Sequence, residues 1–105
     1  MGVRLPDGVG EVREVFEKAG LSVKCEDLGD CEACYYKEGK DLLVIFVVGG
    51  EKPFAKIVPF HKLPPTFTCE TAFLVPHGAY AFAEDLESLA MKVKEKVKLV
   101  KALSD

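Results

Sequence analysis

The chain has 105 residues, a net charge of −3 and an apolar fraction of 49%, a balance that supports one hydrophobic core and excludes a disordered chain. Its longest apolar run, Leu42 to Val48, is seven residues, far short of the roughly twenty that a membrane-spanning helix needs. The first residues hold no apolar stretch of signal-peptide length, so the expectation is a cytoplasmic protein with no membrane partner.

Asn, Gln and Trp are absent from all 105 positions. Thermolabile amides are avoided, and Lys and Glu enriched, in proteins that work at high temperature. A hyperthermophile source is therefore expected, a setting in which intracellular disulfides do occur. Charge is uneven. Residues 1–51 carry eleven acids and six bases, whereas residues 52–105 carry eight lysines and six acids. An anionic partner would meet the second half.

The first element is a helix over residues 8–19, with Val9, Val12, Val15, Phe16 and Ala19 on one stripe, Asp7 as its N-cap and Gly20 as its stop. From Leu21 the period changes to two. LSVKCED and CEACYYK form a hairpin around Leu28-Gly29-Asp30-Cys31, and a second turn at Lys37-Glu38-Gly39-Lys40 leads into DLLVIFVV. That unbroken apolar run predicts a central strand covered on both faces. Residues 49–53 turn the chain into FAKIVPF, where Pro59 marks an edge or a strand end. TFTCETAFLV, residues 66–75, alternates as a fifth strand would, with Phe67, Cys69, Thr71, Phe73 and Val75 on one side. Residues 84–103 form a long amphipathic helix along Leu86, Leu89, Ala90, Val93, Val97, Val100 and Leu103. The whole is a single α+β domain over 1–105: N-terminal helix, four- to five-stranded antiparallel meander, long C-terminal helix.

The stretch KCEDLGDCEAC gathers three of the four cysteines. With Gly29-Asp30 as a two-residue turn, Cys25 faces Cys34, Val23 faces Tyr36 and Asp27 faces Glu32, while Cys31 lies near the turn on the other side. Packing thiols are favoured here over a Cys25–Cys34 disulfide, and both over a metal. Cys31-Glu32-Ala33-Cys34 runs into Tyr35-Tyr36 rather than a tight, glycine-rich knuckle, and Cys69, His61 and His77 stand alone. No metal and no cofactor are expected.

Residues 12–48 have the outline of PD-(D/E)-x-K nucleases such as archaeal Holliday-junction resolvases. Where that chemistry needs Glu-x-Lys, this chain has Phe46-Val47-Val48. The phosphate-loop, nucleophile-elbow and zinc-helix motifs are also missing. The expectation is a non-enzymatic protein with no catalytic residues, and a catalytically dead nuclease-like fold belongs to the alternative reading.

Residues 52–82 hold six aromatic residues, three lysines, two histidines and one acid. Interleaved rings and cations suit single-stranded nucleic acid, because rings stack bases while lysines meet phosphates. Phe54, Lys56, Phe60, His61 and Lys62 are the expected contacts, with Lys92, Lys94, Lys96 and Lys98 as accessory phosphate partners. The C-terminal seam reaches Val100 and Leu103, so its end is expected to pair with another subunit in a homo-oligomer. In outline the chain resembles the ThermoDBP type of archaeal single-stranded DNA-binding protein and its shorter relatives. That resemblance implies a small helix-plus-antiparallel-sheet domain, an aromatic and basic cleft, and a C-terminal helix that assembles subunits. The competing expectation is a structural or protein-interaction domain with no nucleic-acid role.

Overall fold

The computed structural model describes the backbone of residues 7–104 and the side chains of 11–37 and 39–100. The chain runs α1 (Asp7–Lys18), β1 (Val23–Asp27), β2 (Glu32–Glu38), β3 (Asp41–Val48), β4 (Phe54–Pro59), a 3-10 turn (Phe60–Lys62), α2 (Cys69–Leu74), β5 (Ala79–Phe82) and α3 (Leu86–Ser104). The strands form one antiparallel sheet in sequence order, so each strand pairs with its neighbours in the chain. The α+β architecture is the expected one. No helix among the described residues is long and apolar enough to cross a membrane.

Local chemistry sets the turns. Gly29 sits at φ +101° and donates its N–H to Asp27 Oδ1 at 2.8 Å, while Leu28 N–H reaches the Cys31 carbonyl at 2.9 Å. This fixes the register read from the sequence: Val23 opposite Tyr36, Cys25 opposite Cys34, Asp27 opposite Glu32. At the other end of α1, Leu21 N–H closes onto the Phe16 carbonyl at 2.9 Å, with Gly20 at φ +99°. The N-cap role of Asp7 and the packing of Val9 lie outside the described side chains. At α3, Asp85 caps through Oδ1 to Ser88 N–H at 2.7 Å.

Alternation along each strand divides the apolar residues between two faces. Leu43, Ile45 and Val47 of β3 join Phe16, Ile57, Leu89 and Val93 in a core against α1 and α3. Val44 and Phe46, pointing the other way, join Ala33, Val58, Cys31, Cys69 and Ala72 beneath α2. The central strand is thus covered on both faces, as its unbroken apolar run requires.

Three expectations are corrected. Residues 66–75 are not a strand. Pro64 and Pro65 precede them, and Thr68 and Thr71 make a reciprocal cap that starts α2, with Thr71 N–H on Thr68 Oγ1 and Thr68 N–H on Thr71 Oγ1. The fifth strand is instead Ala79–Phe82. Second, the cysteines are not free thiols. Cys25 is bonded to Cys34, with Cα atoms 4.0 Å apart, and Cys31 to Cys69, with Cα atoms 5.9 Å apart. The hairpin register brings the first pair together, and the helix at 69–74 brings Cys69 down onto Cys31. Third, Val97 and Val100 are buried in the chain's own core, 4% and 2% exposed. The seam of α3 does not overrun the sheet there; the side chain of Leu103 lies outside those described.

Candidate nucleic-acid interface

The expected contact residues do not converge. Phe54 opens β4 and Phe60 follows its end, roughly 20 Å apart along a strand of this length. Phe60 is 44% exposed beside His61 and Lys62, over a small cleft with Lys40 and Asp41, and among the described residues no second ring meets it. Lys94 lies against Gly20 on the α1 side of α3. Lys92 is on the opposite flank and reaches the β5 edge, where Nζ donates to the Phe82 carbonyl at 2.9 Å. Lys96, one helical turn on, is half-buried, and Lys98 is exposed.

Lys56 is buried rather than presented at the surface. It is 3% exposed, and its ammonium donates to the carbonyls of Ala72, at 3.2 Å, Phe73, at 3.4 Å, and Val75. These belong to the carboxyl end of α2, whose last carbonyls have no partner within so short a helix. The Nζ also stands 5.2 Å from the centroid of the Tyr80 ring. Removal from water lowers the pKa of this ammonium below its ordinary value.

What the fold does bring together is a group of rings on the α2 side of β4 and β5. Cross-strand pairing sets Phe54 beside Phe82 and Lys56 beside Tyr80. Phe73 of α2 completes a circuit: Phe54–Phe82 centroids are 5.8 Å apart, Phe82–Tyr80 5.9 Å, Tyr80–Phe73 6.2 Å and Phe73–Phe54 5.6 Å. Tyr80 and Phe82 are near-parallel, 14° between planes, and Tyr80 is locked by its O–H donating to the Phe73 carbonyl at 3.0 Å. Phe82 keeps 61% of its area exposed and Tyr80 40%. Beside Phe82 lies a cleft of about 310 Å³ lined by Lys52, Pro53, Ala83, Glu84 and Lys92. Comparison with protein-family models, curated proteins and solved structures finds no match to this chain.

β5 is also an edge strand. Ala83 N–H donates to the Pro53 carbonyl at 3.3 Å. By antiparallel alternation Ala79 and Ala81 then turn their backbone toward β4, and Tyr80 and Phe82 turn theirs outward. Lys92 occupies the outward carbonyl of Phe82, a means of blunting an edge against further strands.

Tyr80, Phe82 and Lys52 are absent from the set read off the sequence. The signal that could have found them is Ala79-Tyr80-Ala81-Phe82 itself, small residues alternating with aromatic ones directly after Pro76-His77-Gly78.

Proposed function

We propose that this chain is a non-enzymatic binder of single-stranded nucleic acid, working through the ring circuit at β5 rather than through Phe60. Phe82 and Tyr80 stack bases, and Lys52 and Lys92 take the neighbouring phosphates; Glu84, in the same cleft, tempers the field. The observation that carries this reading is the near-parallel Tyr80–Phe82 pair, exposed and flanked by two lysines. Stacking is indifferent to base identity because every base has a π-face. The resemblance to ThermoDBP-type proteins supports the same reading. A hyperthermophile source and a cytoplasmic location are part of the proposal, a setting in which intracellular disulfides do occur. Assembly through α3 is part of the proposal, resting on Met91 and Leu99, 55% and 48% exposed.

The competing reading, a protein-interaction module, draws on Leu74, the residue after Phe73 in α2, which is 74% exposed. The Lys92 cap on Phe82 argues against the strand-addition form of that reading alone, because an added partner strand would need that carbonyl.

Fluorescence anisotropy with a labelled single strand at low and high salt separates the two. Phe82→Ala is expected to weaken binding by about 1–3 kcal/mol, and Lys92→Ala to reduce the slope of log affinity against log salt by about one. Absence of binding at low salt sinks the nucleic-acid reading.

A further inference from the structure

Lys56 is the one charged side chain that the fold buries among the described residues. Burying an ammonium is unfavourable unless it is paired and hydrogen-bonded. Here the hydrogen bonds are present and the pairing is not. The ammonium meets three carbonyls and a ring, and no carboxylate among the described residues pairs with it. Of the elements packed against it, β3 sets the apolar Phe46 opposite it, β5 offers one titratable side chain, Tyr80, and α2 one, Glu70, which is exposed and makes no bond to it. Capping the end of α2 requires only a donor, which an uncharged amide could supply. The positive charge is a surplus, and it lies directly behind the Tyr80 ring.

We propose that Lys56 is a specificity-determining residue of the ring platform: its unneutralised charge, 5.2 Å behind Tyr80, favours a strand with an anionic backbone over the same bases on an uncharged one. This deepens the nucleic-acid reading and rests on it. The ammonium itself is almost wholly out of contact with solvent, 3% exposed, so its field is screened less than that of an exposed lysine. Lys52 and Lys92, exposed at the rim, lose their effect as salt rises. Lys56 keeps its effect, which gives it a signature that neither the rim lysines nor a purely structural lysine would show.

The test uses two labelled twelve-nucleotide adenine strands, a DNA and its peptide-nucleic-acid counterpart, at low and high salt. Lys56→Gln removes the charge and keeps an N–H donor for the α2 carbonyls; Lys56→Met removes both. For Lys56→Gln we expect DNA affinity to fall about three- to tenfold at both salt concentrations, with affinity for the uncharged strand unchanged. Lys92→Ala should instead lose its effect at high salt. Equal losses for both strands, or no loss for DNA, overturn the proposal. In the unsubstituted protein, removal from water lowers the Lys56 pKa below its ordinary value. Raising pH while staying below the ordinary lysine range therefore begins to neutralise Lys56, and the ratio of DNA to peptide-nucleic-acid affinity should fall. A constant ratio overturns the proposal even if both variants fail to fold. If the unsubstituted protein binds neither strand, the nucleic-acid reading falls and this proposal with it.

Discussion

The two faces of the sheet are stabilised in different ways. The face under α1 and α3 buries sixteen described residues, nearly all aliphatic, in one continuous core. The face under α2 buries seven, two of them the half-cystines Cys31 and Cys69. A six-residue helix is too short to hold itself together in water. α2 is therefore fastened at both ends, by the disulfide at its first residue and by Lys56 at its last carbonyls. The first face holds a disulfide too, Cys25–Cys34, but it joins two strands already paired. The helices on that face are held by non-directional burial, whereas α2 is held by directed bonds. The rings that the small cover leaves over become surface, and the candidate site is made of them.

If fastening dominates the second face, its loss should exceed that of a large truncation on the first. Cys31→Ala with Cys69→Ala opens a link of sequence separation 38 and is expected to destabilise by about 4 kcal/mol. Leu89→Ala, fully buried on the first face, is expected to cost about 3 kcal/mol. Urea unfolding under oxidising conditions ranks the two, and the reverse order would break the comparison.

A smaller effect sharpens it. Gly78 has φ +103°, and a Cβ there would lie 2.2 Å from the Ile57 carbonyl oxygen. Gly78→Ala should destabilise by about 2 kcal/mol and displace β5. Hydrogen exchange would show lost protection in Ala79–Phe82 while α1 and α3 stay protected. Uniform loss would mean that the two faces unfold as one.

The smallest effect belongs to the first face. Glu32 sits opposite Asp27, and burial first, then Asp27 and Glu11, raise its pKa above the ordinary 4.5. A carboxyl raised on folding binds protons more readily in the native state, so stability falls as pH climbs from 4.5 through the raised value. Glu32→Gln should therefore stabilise by about 0.5 kcal/mol at neutral pH, and thermal melts should show the gain vanishing in acid.

The first face was largely readable from the sequence, because its signals are local. The Val12–Phe16 stripe, the β3 run and the seam Leu89-Val93-Val97 each reveal a period within a few residues. The hairpin register followed from a single glycine turn. The second face was not readable, because what decides it is distant in sequence. The alternation Phe67-Cys69-Thr71-Phe73 mimics a strand, and it is a helix because Thr68 and Thr71 cap each other and Cys69 is tied to a residue 38 positions earlier. Lys56 reads as one more surface cation until the carboxyl end of α2 is placed over it. The rings were visible, but not which of them the cover would leave exposed.

The arrangement of the half-cystines also has a consequence for how the chain matures. Four cysteines allow three connectivities, and Cys31 is nearer in sequence to Cys34 than either is to its native partner. Once Gly29 has set the hairpin, side chains at 31 and 34 point to opposite sides of the ribbon, so the tempting local bond is geometrically denied. Cys25–Cys34, spanning nine residues, is the bond that this register allows, and Cys31 is left for Cys69. A turn of two residues thereby selects, among the three connectivities, the one that the folded domain holds.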